Sequence, residues 1–137
     1  MSERRVDAFF YGLFMDVDVL RASGVVPANP RRAAVDDFTL RIGQRATLVS
    51  APGARAYGML MALTHAELAR LYAGPGLADY RAEAVLAQPL EGGLTAALCY
   101  NLAAPPPAHE RNADYAARLQ RVLARLGFPA DYVAAIS

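Results

Sequence analysis

The sequence predicts one α+β domain over residues 1–137: a small mixed β-barrel with short crossover helices and a C-terminal amphipathic helix. Three observations carry this. Strand-like runs such as residues 55–63 and 94–102 are apolar on both faces, which suits a strongly curved or closed sheet. Helix-start signals fall between those runs, which places short helices in the crossovers. After Pro105-Pro106-Pro107 the apolar spacing changes to that of a helix.

The elements follow in order. Residues 6–11 are β-branched and aromatic with no breaker, and Gly12 ends them, so they form the first strand. Asp16 is a suitable N-cap for a short helix over residues 16–22, which Ser23-Gly24 stops. Pro27 and Pro30 keep the next segment extended or turned. Residues 38–42 and 46–49 form a hairpin about Gly43-Gln44-Arg45. Ser50-Ala51-Pro52-Gly53 predicts a further turn, which brings the strand count to about six.

Residues 55–63 form a buried strand, and Gly58 within it marks a bulge or a close backbone approach. Thr64-His65-Ala66-Glu67 is a capping box: the Thr64 hydroxyl accepts from the Glu67 N–H, and the Glu67 carboxylate reaches back to Thr64. The helix it opens ends near Ala73-Gly74-Pro75-Gly76. Residues 80–86 and 94–102 form the last strands. Tyr115, Leu119, Val122, Leu123 and Leu126 make residues 112–126 an amphipathic helix, capped by Asn112 and stopped by Gly127 and Pro129. Arg118, Arg121 and Arg125 run beside its apolar face and read as a solvated stripe. Residues 131–136 form a last helical turn.

Composition narrows the function. The chain has 137 residues, 55% hydrophobic and 20% charged, enough for one real core and unlike a disordered chain. No apolar run is long enough to span a bilayer. The charged start, Met1-Ser2-Glu3-Arg4-Arg5, lacks the apolar segment of a signal peptide. Cys99 is the only cysteine, which leaves no intrachain disulfide or cysteine metal cluster and favours a reduced, cytoplasmic setting. With 14 basic and 13 acidic residues the net charge is +1, so nothing electrostatic points to nucleic acid or a membrane surface. Every basic residue besides the histidines is Arg, which rules out a Schiff-base lysine and a P-loop lysine.

Conventional catalytic arrangements are absent. His65 and His109 fall in a helix first turn and a proline-flanked loop. No HExxH, P-loop or nucleotide-type GxGxxG occurs. Ser2, Ser23, Ser50 and Ser137 lack a nucleophile-elbow context, and Cys99 lies mid-strand, where a thiol is usually an inert small hydrophobe. Backbone donors at the end of the first strand, in Tyr11-Gly12-Leu13-Phe14, could instead hold an anionic ligand group.

Three motifs in order give the chain a resemblance. They are Phe10-Tyr11-Gly12-Leu13-Phe14, then the run from Tyr57-Gly58 to Thr64-His65-Ala66-Glu67-Leu68, then Tyr80-Arg81-Ala82-Glu83-Ala84-Val85. Across residues 6–102 the sequence resembles the γ-glutamylcyclotransferase-like superfamily. The resemblance implies a mixed barrel with a cavity, needing no cofactor and no metal. It also implies a reaction in which the α-amine of a γ-glutamyl group attacks its own γ-carbonyl, giving 5-oxoproline and a free amine. Such chemistry needs backbone donors for the carboxylate or carbonyl oxygen and a carboxylate to shuttle a proton; positioning supplies much of the rest.

The sequence departs from the superfamily's Leu-Asp-x-x-Glu-Gly pattern. Its corresponding run is Leu71-Tyr72-Ala73-Gly74-Pro75-Gly76, with Tyr72 where Asp is usual and Pro75 where the catalytic Glu is usual. Glu83 and Asp79 are the substitute candidates for the base. Strand alternation turns Glu83 away from the side Tyr80 faces. Tyr11, Gly12, Leu13, Phe14 and Tyr80 are the expected substrate-binding residues. Two functions follow as expectations: cyclising cleavage of a γ-glutamyl-amine or related small amide, or non-catalytic binding of a small amino-acid-like metabolite in the same cavity. The expected partner is a small molecule, with no nucleic acid and no membrane, and a homodimer is compatible.

Overall fold

The computed structural model describes residues 4–137. Met1-Ser2-Glu3, the start of the stretch read above as no signal peptide, lies outside them. Five strands close into a barrel in the order β1-β3-β2-β4-β5. They are β1 (Arg5–Phe10), β2 (Ala28–Ile42), β3 (Ala46–Thr64), β4 (Tyr80–Pro89) and β5 (Thr95–Leu102). All neighbours pair antiparallel except β1 and β5, which meet in parallel at Ala8 and Leu98. The closed mixed sheet is the expected architecture.

One expectation needs correcting. Ser50–Gly53 is not a turn between two strands, so among the described residues the strands number five and not six. β2 and β3 stay paired on both sides of the segment, at Phe38 with Ser50 and Asp36 with Arg55. Between these pairs the register shifts, with Ala51 to Ala54 on β3 facing Asp37 alone on β2, and this irregularity takes up the turn-forming residues before pairing resumes. Asp37 and Gly53 take positive φ angles of 68° and 84° there. The Gly53 N–H donates to Asp37 Oδ1 at 2.9 Å. Pro52, with no N–H to give, is tolerated at such an irregularity.

The helices match their signals closely. A 3-10 turn (Leu13–Met15) leads into α1 (Val17–Ala22), and the Asp16 side chain accepts from Asp18 N at 3.0 Å. The capping box of α2 (His65–Leu71) forms in both directions, at 2.9 and 3.1 Å. Glu67 also accepts from Val26 N at 3.1 Å, so the same carboxylate ties α2 to the segment before β2. Asn112 caps α3 (Ala113–Arg125), and α4 (Ala130–Ala134) is the last turn.

The core runs through both faces of the barrel wall. Phe9, Leu60, Met61 and Leu63 are fully buried in the strands, and α3 contributes buried Leu119 and Leu123. Gly58 lies where β3 crosses the end of β1. A Cβ there would run into the Phe10 carbonyl oxygen and lie 2.8 Å from the Phe9 ring. Of the two readings, the close backbone approach is the one realised.

Candidate functional site

Where β1 ends, the chain leaves the barrel wall through Tyr11 and Gly12, and a cavity of about 280 Å³ opens beside them. Its walls are mostly aromatic and aliphatic: Phe10, Phe14, Leu77, Tyr72, Tyr80 and Tyr115 are among the lining residues. Four segments meet there. The β1 end supplies Tyr11 to Phe14, the β2–β3 turn supplies Gln44 and Arg45, the α2–β4 connection supplies Tyr72 and Leu77, and α3 supplies Tyr115 and Arg118.

Each segment is fixed by bonds that leave its cavity-facing group in place. Gly12 has no room for a side chain, because a Cβ would strike the Tyr115 hydroxyl. That hydroxyl accepts from the Leu13 N–H at 3.3 Å, so α3 is latched onto the loop after β1. The β2–β3 turn is braced by the loop before α3: Gln44 N donates to Glu110 Oε1 at 3.0 Å, and Asn112 Nδ2 donates to Gln44 O at 3.2 Å. Arg45 then reaches back to Gly76 O at 3.0 Å and Asp79 Oδ2 at 3.1 Å. Its guanidinium lies 6.0 Å from the Tyr80 ring centroid.

The tyrosines form a connected group. Tyr72 stacks on Tyr100 with centroids 3.9 Å apart and meets Phe14 edge-on at 5.8 Å. The Tyr11 hydroxyl donates to Tyr100 O at 2.7 Å, and the Tyr80 hydroxyl donates to Ala46 O. Burial pushes the Tyr11 and Tyr72 phenols well above their ordinary pKa. Burial also raises Tyr80 to about 12, with Tyr115 adding to the shift and Arg45 opposing it. At neutral pH all of these phenols are protonated, so they serve as hydrogen-bonding groups and not as bases.

The structure gathers every expected binding residue: Tyr11, Gly12, Leu13, Phe14 and Tyr80 all line this cavity. It does not bring either candidate base among them. Asp79 is largely exposed and is held by Arg45 at the cavity's rim. Glu83 is exposed, sits in register with Cys99, and accepts a hydrogen bond from Asn101 Nδ2. Among the described residues, no carboxylate lines the cavity. His65 and His109 are exposed and also lie away from its lining. Cys99 is buried beside Asn101, and burial raises its thiol to about 12.

Four lining residues carry more of the site than the sequence assigned to them. In sequence Tyr72 stands out only as a departure from a pattern, Tyr115 belongs to the apolar face of its helix, and Arg45 belongs to a turn. The stripe expected to be solvated divides: Arg118 lines the cavity, and Arg125 pairs with Asp16 at 3.0 Å. No spacing rule separates these cases, because the distinction depends on where α3 lands on the barrel.

No family model matches the sequence, and no curated protein matches it. Solved structures do match the fold. A γ-glutamyl cyclotransferase superposes with a TM-score of 0.77 at 18% identity, covering 98% of this chain and 89% of that one. An uncharacterised protein from Homo sapiens gives 0.76 at 22% identity over the same shares, 98% and 89%. An AIG2-like protein from Mus musculus gives 0.60 at 17% identity, covering 82% of this chain and 91% of that one. The chain therefore has the γ-glutamylcyclotransferase-like fold, as the three ordered motifs implied. No helix among the described residues is long and apolar enough to cross a membrane.

Proposed function

We propose that this protein binds a small organic metabolite in the cavity beside Tyr11 and Gly12, and does not carry out the cyclising cleavage associated with the fold. One observation supports this choice over catalysis: no carboxylate lines the cavity among the described residues. An α-ammonium must lose a proton before it can attack, and a leaving amine must gain one. The phenols near the cavity hold their protons too tightly to take one at neutral pH. The cavity, by contrast, has what binding needs: apolar walls, a few polar groups and a rigid frame.

The test has two arms. A panel of γ-glutamyl-amines is incubated with the protein and 5-oxoproline is measured; none is expected. In parallel, small metabolites are screened by thermal shift, and a ligand at about 100 times its Kd stabilises by about 2.7 kcal/mol, which is easily seen. Production of 5-oxoproline that is lost in Glu83→Gln or Asp79→Asn would replace the binding assignment with the enzymatic one. Absence of any stabilising ligand would remove the binding assignment.

A further inference from the structure

Resting on the binding role just proposed, we infer that the cavity selects a small organic anion with an apolar body and no ammonium group, and that Arg118 with the Tyr72 and Tyr115 hydroxyls recognises its charge. This narrows the amino-acid-like ligand expected from sequence to one that has lost its amine.

The charge inventory leads there. Arg45 and Arg118 are the only charged residues that line the cavity among the described residues. Arg45 is compensated by Asp79 and the Gly76 carbonyl. Arg118 has no hydrogen-bond or ion-pair partner among the described residues. Asp114, one turn earlier on α3, forms no ion pair with it, and Asp16 is taken by Arg125. One guanidinium at the cavity is thus left without a counter-ion among the described residues, at the solvent-facing edge of apolar walls, where an anion seated in the cavity can pair with it.

An incoming ammonium meets the opposite situation. It would find no carboxylate and two cations, and burying it unpaired is costly. Tyrosine faces could in principle compensate it. Here the Tyr80 ring already has the Arg45 guanidinium over it, and one face of Tyr72 is covered by Tyr100 at 3.9 Å.

The phenolic groups fit an anion as well. The Tyr11 and Tyr80 protons are committed to the Tyr100 and Ala46 carbonyls. The Tyr72 and Tyr115 hydroxyls donate to no acceptor among the described residues. Tyr115 already accepts from the Leu13 N–H. Accepting that bond polarises its O–H toward donation, and a carboxylate is the natural acceptor.

Three probes with one skeleton test this: 3-phenylpropanoate, neutral 3-phenylpropanamide, and phenylalanine, which is the propanoate with an ammonium added. Binding is measured by titration calorimetry at pH 7, on the wild-type chain and on Arg118→Gln. Arg118 is exposed, so its replacement leaves the fold intact, and circular dichroism verifies this. The propanoate is expected to bind about tenfold more tightly than either of the others, and Arg118→Gln to erase that advantage. Equal binding of phenylalanine or the amide would overturn the anion assignment while leaving the cavity a binding site. An unaltered propanoate affinity in Arg118→Gln would also overturn it. Binding by none of the three would overturn it as well, and the metabolite screen then decides separately whether the cavity binds anything.

Discussion

Strand β4 carries Tyr80 and Glu83 three residues apart, and the barrel treats the two sides differently. On the Tyr80 side, phenols, aliphatic groups and two arginines surround open space. On the Glu83 side there is a closed polar seam. Asn101 Nδ2 donates to Glu83, its Oδ1 accepts from Leu48 N at 3.2 Å, and buried Thr47 Oγ1 accepts from Leu102 N at 2.9 Å. The polar groups of the seam satisfy one another, whereas the cavity leaves Arg118, Tyr72 and Tyr115 with bonding capacity to spare. The Glu83 carboxylate on β4 is thus bonded within the wall, and the groups that line the cavity come from elements that meet only in the folded chain.

Alkali should expose this contrast most strongly, because the phenols are concentrated on the cavity side. Burial raises the pKa values of Tyr11, Tyr72, Tyr80 and Tyr115 in the folded state above the unfolded value near 10. Their contribution to stability is fully present below about pH 10 and is lost as the pH rises through the folded values. For Tyr80 that window ends near pH 12. Cooperative unfolding is expected above about pH 10, with phenolate absorbance and near-ultraviolet circular dichroism changing together. Titration of these tyrosines near pH 10 with tertiary structure retained would show that the cavity side is wetter than its packing indicates.

The next largest effect should come from Gly58→Ala. The added methyl meets the Phe10 carbonyl, a backbone atom that cannot rotate away. The expected loss is about 3 kcal/mol in urea unfolding, at the upper end for overpacking. A loss below about 1 kcal/mol would mean that β1 and β3 can part at the cavity corner without cost.

These positions also show what was legible in the sequence. Gly58 and the Thr64 capping box act over short ranges, and local chemistry identified both. The mixed barrel was legible from strands apolar on two faces. Ser50–Gly53 misled because Pro-Gly signals a turn equally well whether the chain reverses or a long strand takes up a bulge. The Tyr11 to Phe14 part of the cavity lining is contiguous in sequence. Arg118 and Tyr115 join that lining only through the docking of a helix about a hundred residues downstream, and helical periodicity gives a face but not its neighbour.

On the seam, Asn101→Ala leaves the buried Leu48 N–H without its acceptor. An unsatisfied buried donor costs about 1–3 kcal/mol, so a loss of about 2 kcal/mol is expected in the same urea experiment. Ligand affinity should hold within about twofold once the protein is folded, since Asn101 does not line the cavity. A large affinity loss would show that the seam and the cavity are coupled and that the two sides of β4 are not independent.

Glu83→Gln should do the least, and for that reason it discriminates best. The residue is exposed and its carboxylate accepts from Asn101, a role the glutamine carbonyl can take over. The change in stability should stay below about 1 kcal/mol, as for other exposed charged contacts. If Glu83 were the base, the same substitution would abolish 5-oxoproline formation by removing the group that moves the proton. If it belongs to the wall, ligand binding stays unchanged and the only trace is a small shift in the unfolding midpoint. A one-atom change in a side chain that the barrel keeps away from the cavity thus separates a proton shuttle from a structural acceptor, provided that both product formation and ligand affinity are measured on the same preparation.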